Sequence, residues 1–218
     1  MEKKNLLTPL DVKQMVSGTP HMSLKQGKMI SDFIQQHSIK NVLELGFRHG
    51  VSTCYMAAAL DKNDGGSIVT VDLESARQAK PNIEELLKRV DKLDKVSIYY
   101  EPTSYTWRLM KLLEQNSEPC FDFCYLDGAH SWFVDGFAFF LVDRLLKRNG
   151  WIIFDDINWS YEKSPSLKNT DWVKSMPEDE RKTSQVLKVF ELLVKTHPCY
   201  GNFDIKEDWG FAQKIKNS

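Results

Sequence analysis

Residues 121–130, with the sequence FDFCYLDGAH, constrain the fold of this chain most strongly. They form an apolar run that ends abruptly at Asp127, and His130 follows shortly after it. Such a run, closed by Asp-Gly, predicts a buried parallel strand and a tight turn. A second apolar run, residues 150–156, ends in two adjacent aspartates. Because ligands of open α/β sheets bind beyond the carboxyl ends of the strands, we expect these acids to lie at a functional site.

The order of the predicted elements indicates an α/β fold. Strand and helix alternate five times along the chain, which predicts a doubly wound, mostly parallel sheet covered by helices. Two further strands, at residues 200–205 and 209–215, form a C-terminal antiparallel hairpin and complete a seven-stranded sheet. We expect the 218 residues to form one domain, with an N-terminal helical cap over residues 1–40. Residues 157–183 are polar but contain two tryptophans, which predicts a lid or a substrate loop.

Composition and charge narrow the range of partners. The formal net charge is -1, so no overall field attracts nucleic acid or an anionic membrane surface. No apolar run is long enough to cross a bilayer, and the N-terminus lacks the apolar core of a secretion signal. Cys120 and Cys124 lie on one predicted strand, too far apart to form a disulfide. Without a Cys/His cluster typical of zinc, we expect a cytoplasmic protein with reduced thiols and no nucleic-acid or membrane partner.

Two element boundaries are predicted from proline and glycine. Pro81 is expected to be the first residue of a helix. Asn149 and Gly150 are expected to end another helix, which runs from about Trp132 to Lys147. That helix carries more aromatic side chains than one face against a sheet needs, so either the N-terminal helices or a second subunit in a homodimer covers its other face. These aromatic residues are Trp132, Phe133, Phe137, Phe139 and Phe140.

A glycine-containing loop follows the first predicted strand, residues 41–45. The motif E-L-G-x-x-x-G, from Glu44 to Gly50, leads from this strand into a helix. Glycines let a ligand lie against bare backbone, and the N-terminus of the helix offers free N–H groups. The spacing differs from the G-x-G-x-x-G of dinucleotide-binding proteins, which disfavours an NAD-dependent oxidoreductase. The acid in the loop would repel a phosphate group but would suit a cationic ligand.

The motif E-L-G-x-x-x-G-x-S resembles the S-adenosylmethionine loop of the class I methyltransferases. The resemblance implies a Rossmann-like fold in which this loop contacts the amino-acid end of the cofactor. It also implies that Asp72, at the end of the next strand, binds the ribose hydroxyls, because a carboxylate can accept both hydrogen bonds. Ser104 contacts the adenine edge or is only a helix cap, and Glu44 and Asp72 are alternatively strand-end caps without a ligand. The residues assigned to the cofactor in this way are Glu44, Gly46, Gly50, Ser52, Asp72, Ser104 and Asp127.

The pattern Y-L-D-G-x-H-S, followed by R-N-G-W-I-I-F-D-D, is similar to that of the small metal-dependent O-methyltransferases, which include catechol-type and sugar-modifying bacterial enzymes. The resemblance implies that Asp127, Asp155 and Asp156 hold Mg²⁺, or alternatively Mn²⁺ or Ca²⁺. Adjacent parallel strands lie about 4.8 Å apart, so acids at their ends can converge on one cation. Crowded carboxylates repel one another unless a cation or protons intervene. Alternatively, Asp127 caps the next helix and Asp155 faces the cofactor alone.

His130 occupies the position of the general base in the catechol-type enzymes, where a lysine is usual. A neutral imidazole is still a competent base near neutral pH. The resemblance implies that His130 or Asp127 takes the proton from a hydroxyl group, whose oxygen then attacks the sulfonium methyl group. Alternatively, His130 is a hydrogen-bond partner of an aspartate or a residue of a surface turn.

Together these resemblances predict an S-adenosylmethionine-dependent O-methyltransferase that acts on a hydroxyl group of a small molecule. Residues 158–176, together with His21 and Met22, would enclose the acceptor, although Trp159 and Trp172 could equally anchor a long loop. The alternatives are a non-catalytic S-adenosylmethionine-binding protein and a metal-free N- or C-methyltransferase. Sugars, phenols, small polyketides and lipid precursors all stay open as acceptors.

Overall fold

One sheet of seven strands runs through the structure, a computed structural model that describes residues 6–217. The strands are β1 (Asn41–Leu45), β2 (Ser67–Leu73), β3 (Val96–Glu101), β4 (Phe121–Leu126), β5 (Leu146–Phe154), β6 (Tyr200–Lys206) and β7 (Trp209–Lys214). Their order across the sheet is β3-β2-β1-β4-β5-β7-β6. The first five strands pair in parallel, and β7 is antiparallel to both of its neighbours. The predicted α/β fold, with a mostly parallel sheet and a C-terminal hairpin, is confirmed.

Helices cover both faces of this sheet. The helices of the described residues are α1 (Pro9–Met15), α2 (Leu24–Gln36), α3 (Val51–Leu60), α4 (Ile83–Arg89), α5 (Tyr105–Gln115), α6 (Trp132–Leu145), α7 (Asp171–Ser175), α8 (Glu178–Lys182) and α9 (Gln185–Val189). A π-helical turn, Phe190–Val194, extends α9. One apolar core lies between the sheet and α1 to α4, and a second lies between the sheet and α5, α6 and α9. Within residues 6–217, no helix is long and apolar enough to span a membrane.

Helices α1 and α2 lie against α3 on the first face of the sheet. Val12 and Ile30 are fully buried in this layer. The start of α2 is fixed by a reciprocal cap, in which Ser23 Oγ accepts the N–H of Gln26 and Gln26 Oε1 accepts the N–H of Ser23 at 3.0 Å. Residues 1–5 of the predicted N-terminal cap lie outside the described residues.

Backbone hydrogen bonds continue past the carboxyl ends of the parallel strands and hold the loops that follow these strands in place. The N–H of Asp127 donates to the carbonyl oxygen of Leu45 at 2.8 Å. The N–H of Asp155 donates to the carbonyl oxygen of Leu126 at 2.9 Å. Because β1, β4 and β5 are neighbours and parallel, their carboxyl ends place the glycine loop and the acids side by side.

Helix α4 begins at Ile83, so the prediction that Pro81 is the first helical residue was wrong. Asn82 is the cap residue, and its side chain accepts the N–H of Glu85 at 2.9 Å. The Glu85 carboxylate in turn accepts the N–H of Asn82 at 3.0 Å. Because this reciprocal cap fixes where the helix starts, Pro81 lies just outside it.

The prediction that Asn149 and Gly150 end helix α6 was also wrong. The helix is already complete before Leu146, which begins β5 and pairs with Phe121 of β4. Pairing with β4 is then interrupted and resumes at Trp151. Asn149 has a φ of 67°, in the left-handed region that asparagine tolerates better than most residues. The two residues therefore form a bulge inside a strand rather than a helix end.

One face of α6 is exposed. Phe139 is fully buried against the sheet, and the helix packs against α5 and α9. Helices α1 and α2 lie on the opposite side of the sheet, so they do not cover the remaining aromatic side chains. A second subunit on this face stays a prediction. The exposed aromatic residues of α6 are Trp132, Phe133, Phe137 and Phe140.

Candidate active site

A cavity of about 350 Å³ opens at the carboxyl ends of the parallel strands. Most of the site residues predicted from the sequence lie on its wall. Of the predicted site residues, Glu44 and Gly50 are not part of this wall. The predicted residues that line the cavity are Gly46, Ser52, Asp72, Ser104, Asp127, His130, Asp155 and Asp156.

The two glycines of the loop are required by close packing. Gly46 has a φ of +92°, and a Cβ atom there would lie 1.9 Å from the carbonyl oxygen of Asp127. Gly50, at the N-terminus of α3, has a φ of +89°, and a Cβ atom would lie 2.4 Å from the side chain of Ile83. Both positions therefore exclude larger residues, because the conformation and the space favour glycine. This packing brings the loop directly against the end of β4.

Glu44 lies beneath the loop rather than on the cavity wall. Its side chain is fully buried, and its carboxylate accepts hydrogen bonds from the hydroxyls of Ser52, Thr53 and Thr70. Burial raises the pKa of Glu44 to about 7, although the three hydroxyls oppose this shift. Through these hydrogen bonds Glu44 connects the start of α3 to the middle of β2. Direct contact with the cofactor stays a prediction.

Asp72 joins the glycine loop to the cavity. Its Oδ2 atom accepts the N–H groups of Phe47 at 2.9 Å and Arg48 at 2.6 Å, and Oδ1 accepts the N–H of Leu73 at 2.6 Å. Because each carboxylate oxygen can accept more than one hydrogen bond, Asp72 retains capacity for the hydroxyls of a ligand. Its position on the wall therefore fits the predicted contact with a ribose.

Ser104 has both of the features that its two predicted roles require. Its hydroxyl caps α5 by accepting the N–H of Thr106 at 3.1 Å. The residue also lines the cavity. Ser104 is therefore a helix cap, and a contact with the adenine edge stays a prediction.

The three predicted metal-binding aspartates all reach the cavity, but their environments differ. The carboxylate of Asp155 is buried, and it accepts hydrogen bonds from the Tyr125 hydroxyl and from the N–H of Asp156 at 2.7 Å. Burial raises the pKa of Asp155 to about 6, despite these bonds. Burial, followed by repulsion from Asp155 and Asp156, raises the pKa of Asp127 well above its ordinary value. Such crowded negative charge is relieved by a bound cation or by protons.

Asp127, Asp156 and His130 form the group that could hold a metal ion. Their ligand atoms all lie within 4.8 Å of one another. Nε2 of His130 is 3.5 Å from Oδ2 of Asp156 and 3.9 Å from Oδ1 of Asp127. This group differs from the predicted trio, because His130 takes the place of Asp155. The two carboxylates are the hard oxygen ligands that Mg²⁺ and Mn²⁺ prefer, and the imidazole beside them can act as a further ligand or as a base.

A buried network holds the loop that carries His130. The hydroxyl of Tyr105 donates to the carboxylate of Asp135 and accepts the N–H of Ala129 at 3.3 Å. Oδ2 of Asp135 accepts the N–H of Ser131 at 2.8 Å. His130 is thereby fixed from both sides, with a φ of 52° in the left-handed region. The sequence interpretation missed this pair, for which the only signal is an acid in the first turn of an apolar helix.

The segment 157–183 contains more regular structure than the sequence predicted, namely α7, α8 and a 3₁₀ turn at Tyr161–Lys163. The ring of Trp159 lies 5.0 Å from that of His130, measured between centroids. Neither Trp159 nor Trp172 is part of the described cavity wall, whereas His21 is. The N-terminal loop therefore borders the cavity, and the role of residues 157–183 as a lid stays a prediction.

Solved structures of known proteins share this fold. An O-methyltransferase from Bacillus cereus, in complex with SAH, has a TM-score of 0.67 and is 20% identical, with 95% of this chain and 90% of that chain covered. The O-methyltransferase TomG from Streptomyces achromogenes, in complex with SAM, has a TM-score of 0.66 and is 15% identical, with 99% and 92% covered. At these identities the similarity shows the fold.

The sequence is also similar to a curated protein. It is 28% identical over 144 residues to the catechol O-methyltransferase of Niastella koreensis. The matched region is 65% of this chain and 61% of that relative, so the chain spans less than two thirds of the relative's length. Residues 43–157, which are more than half of the chain, match the family described as a methyltransferase domain. That region contains the glycine loop, His130 and all three aspartates of the site. The chain therefore belongs to the family described as a methyltransferase domain.

Proposed function

We propose that this chain is an O-methyltransferase that uses S-adenosylmethionine and a divalent cation to methylate a hydroxyl group of a small molecule. The observation that carries the proposal is the grouping of Asp127, His130 and Asp156 within 4.8 Å of one another. This group shares one cavity with Gly46 and Asp72 of the cofactor loop region. A methyl donor and an acceptor hydroxyl could therefore be bound next to each other.

The cofactor would lie along the glycine loop. S-adenosylmethionine supplies a methyl group that is activated for transfer by the positive charge of the sulfonium. Asp72 would accept hydrogen bonds from the ribose hydroxyls while it holds the loop through the N–H groups of Phe47 and Arg48. Gly46 would leave the backbone open to the amino-acid end of the cofactor. Glu44 would support this arrangement from below, through Ser52 at the start of α3.

The cation would be held by the carboxylates of Asp127 and Asp156. A divalent cation supplies positive charge that lowers the pKa of an acceptor hydroxyl and orients it. Asp155 would orient its neighbour, because its carboxylate accepts the N–H of Asp156. Tyr125 in turn holds Asp155 by donating its hydroxyl hydrogen bond. The raised pKa values of the three aspartates support this arrangement, because a cation would offset their mutual repulsion.

His130 would accept the proton. Its Nε2 atom points to the same place as the carboxylates of Asp127 and Asp156, where the acceptor hydroxyl would be held. As Nε2 takes the proton, the acceptor oxygen forms a bond to the methyl carbon and the bond from carbon to sulfur breaks. The products are a methyl ether, a neutral thioether and a protonated imidazole. Because charge is transferred rather than created, correct positioning contributes most of the rate enhancement.

The acceptor would be a small hydroxylated compound. The relative from Niastella koreensis is called a catechol O-methyltransferase, which makes a catechol the first compound to test. Adjacent hydroxyls suit a cation site, because both oxygens can approach it from one side. Pro20 and Met22 on the cavity wall would form an apolar surface for such a compound.

An acceptor screen tests the proposal. The purified protein is incubated with methyl-labelled S-adenosylmethionine and Mg²⁺ against catechols, phenols, sugars and small polyketides, and the products are analysed by mass spectrometry. We expect the label on an oxygen atom of at least one acceptor. Asp127→Asn should lose this activity, whereas Asp94→Asn, a change at an exposed site far from the cavity, should retain it. Transfer only to nitrogen or carbon, or binding of the cofactor without any transfer, would contradict the proposal.

A further inference from the structure

The side of the cavity formed by residues 20–22 and the glycine loop carries three basic side chains. His21, Arg48 and His49 all line the same cavity as the acids. The rings of His21 and His49 are stacked, with centroids 5.5 Å apart and an interplanar angle of 25°. His21 has a φ of 91° and Arg48 a φ of 48°, both in the left-handed region that residues with a side chain rarely adopt. The chain therefore holds these side chains together at the expense of backbone strain.

The orientation of His49 is fixed by a hydrogen bond. Its Nδ1 atom lies 2.7 Å from the carbonyl oxygen of Pro81, and because a carbonyl can only accept, Nδ1 carries the hydrogen. Protonation of Nε2 would make His49 a cation that donates from the opposite side of the ring. The Nε2 side of the ring is thus the side left for a ligand.

Arg48 supplies a permanent positive charge to this group. Within residues 6–217, the arginine ion pairs are those of Arg77, Arg108 and Arg181, so Arg48 has no carboxylate partner there. The carboxylate of Asp72 accepts the backbone N–H of Arg48. Burial, followed by the charges of His49 and Arg48, lowers the pKa of His21, and the charge of Asp156 opposes this shift.

We propose that His21, Arg48 and His49 form an anion-recognition wall that binds a carboxylate or phosphate group of a ligand in the active-site cavity. Opposite charge on the ligand would offset the repulsion among the three bases. The aspartates that line the same cavity would repel that group, so the charges of the lining would orient a ligand that has an anion at one end. The inference rests on the proposed function for the other end of the ligand.

Two ligands could supply the anion. One is an acceptor that carries both a hydroxyl pair and a carboxylate or phosphate, and the hydroxyls would then face His130 and the aspartates. The other is the carboxylate at the amino-acid end of the cofactor. Both sources use the same chemistry, in which a guanidinium or imidazolium donates to anionic oxygens. Substitutions in the wall distinguish the two sources, because only the ligand that supplies the anion should lose affinity.

Paired ligands with and without the anion test the wall. Binding of S-adenosylhomocysteine and of 5′-methylthioadenosine, which lacks the amino-acid end, is measured by calorimetry, as is binding of 3,4-dihydroxybenzoate and of catechol in the presence of Mg²⁺. Arg48→Ala and the double variant His21→Ala/His49→Ala are compared with Arg148→Ala, a matched change at an exposed site away from the cavity. Arg48→Lys keeps the charge and should retain part of the affinity.

We expect Arg48→Ala to weaken the anionic member of one pair by about 10-fold or more and to leave its neutral partner within about 2-fold. Loss confined to S-adenosylhomocysteine assigns the wall to the cofactor, and loss confined to dihydroxybenzoate assigns it to the acceptor. Unchanged affinity for both anionic ligands, or equal losses for the anionic and neutral members, would overturn the proposal. Because these readouts need no turnover, they separate failure of the wall from failure of methyl transfer.

Discussion

Nε2 of His130 lies 3.5 Å from Oδ2 of Asp156, although the two residues follow different strands. The register of the sheet explains this contact, because Leu126 at the end of β4 pairs with Phe154 at the end of β5. Residues that follow paired ends of parallel strands meet at the same edge. The imidazole therefore lies beside the carboxylates and close to the position proposed for the acceptor hydroxyl.

Replacement of His130 should remove the proton acceptor without removing the cation site. We expect His130→Gln to lower kcat by about 10²- to 10⁴-fold, the usual contribution of a general base. His130→Lys should restore part of the rate, because lysine is the usual residue at this position in the catechol-type enzymes that the sequence resembles. Initial rates and the affinity for Mn²⁺ are measured on both variants. A loss of Mn²⁺ binding as large as that of Asp156→Asn would show instead that His130 is a metal ligand.

The aspartates should differ in their contribution to metal binding. We expect Asp127→Asn and Asp156→Asn to weaken Mn²⁺ binding by roughly 100-fold or more, and Asp155→Asn by about 10-fold, as for a residue that orients a ligand. The reason is that Asp155 already accepts hydrogen bonds from Tyr125 and from the N–H of Asp156. Electron paramagnetic resonance of free Mn²⁺ measures the three affinities. Equal losses at Asp155 and Asp156 would favour the ligand set predicted from the sequence.

Asp72 should control the affinity for the cofactor. Asp72→Ala removes the acceptor of the Phe47 and Arg48 N–H groups together with the proposed ribose contact. We expect the affinity for S-adenosylhomocysteine to fall by roughly 10- to 100-fold, because hydrogen bonds to a charged group are among the stronger ones. Calorimetry at equal Mg²⁺ concentration measures this effect, with Asp94→Asn as the exposed control. Binding at the wild-type level would contradict the role of Asp72.

Glu44 should make stability depend on pH. Burial raises its pKa from 4.5 to about 7, so the folded chain binds the proton more tightly than the unfolded chain does. Its contribution is therefore fully present below pH 4.5 and is lost as the pH rises towards 7. This loss is on the order of 3 kcal/mol.

Urea unfolding at pH 5 and pH 8 measures this contribution in the presence of a chelator. The free energy of unfolding of the wild type, minus that of Glu44→Gln, should be smaller at pH 8 than at pH 5. Glu118→Gln, at an exposed glutamate, should give the same difference from the wild type at both pH values. A pH-independent difference for Glu44→Gln would show that the pKa of Glu44 is not raised.

The sequence predicted the sheet and the location of the site because both follow from simple patterns. The apolar runs that end at Asp127 and at Asp155 become the neighbouring strands β4 and β5, and their acids reach one cavity. The glycine loop also takes its predicted place after β1. In each case, a buried parallel strand and the residues after it leave few alternatives for where those side chains can lie.

Side-chain direction and element boundaries were harder to predict. The sequence predicted that Glu44 contacts the cofactor. In the structure, hydrogen bonds from Ser52, Thr53 and Thr70 hold its carboxylate beneath the loop. Asp155 and Asp156 are equivalent in the sequence, yet only the second lies within the group that includes His130. These outcomes depend on hydrogen bonds between residues that are distant in the sequence, which local patterns do not contain.

The dependence of methyl transfer on a divalent cation tests the central claim most directly. Initial rates with labelled S-adenosylmethionine and an acceptor found in the screen are measured in a chelator and after Mg²⁺ is added back. Calorimetry confirms that S-adenosylhomocysteine still binds in the chelator. We predict that the chelator lowers the rate roughly 100-fold or more, and that Mg²⁺ restores it in the wild type but not in Asp156→Asn. An unchanged rate in the chelator, with the cofactor bound, would contradict a metal-assisted O-methyltransferase.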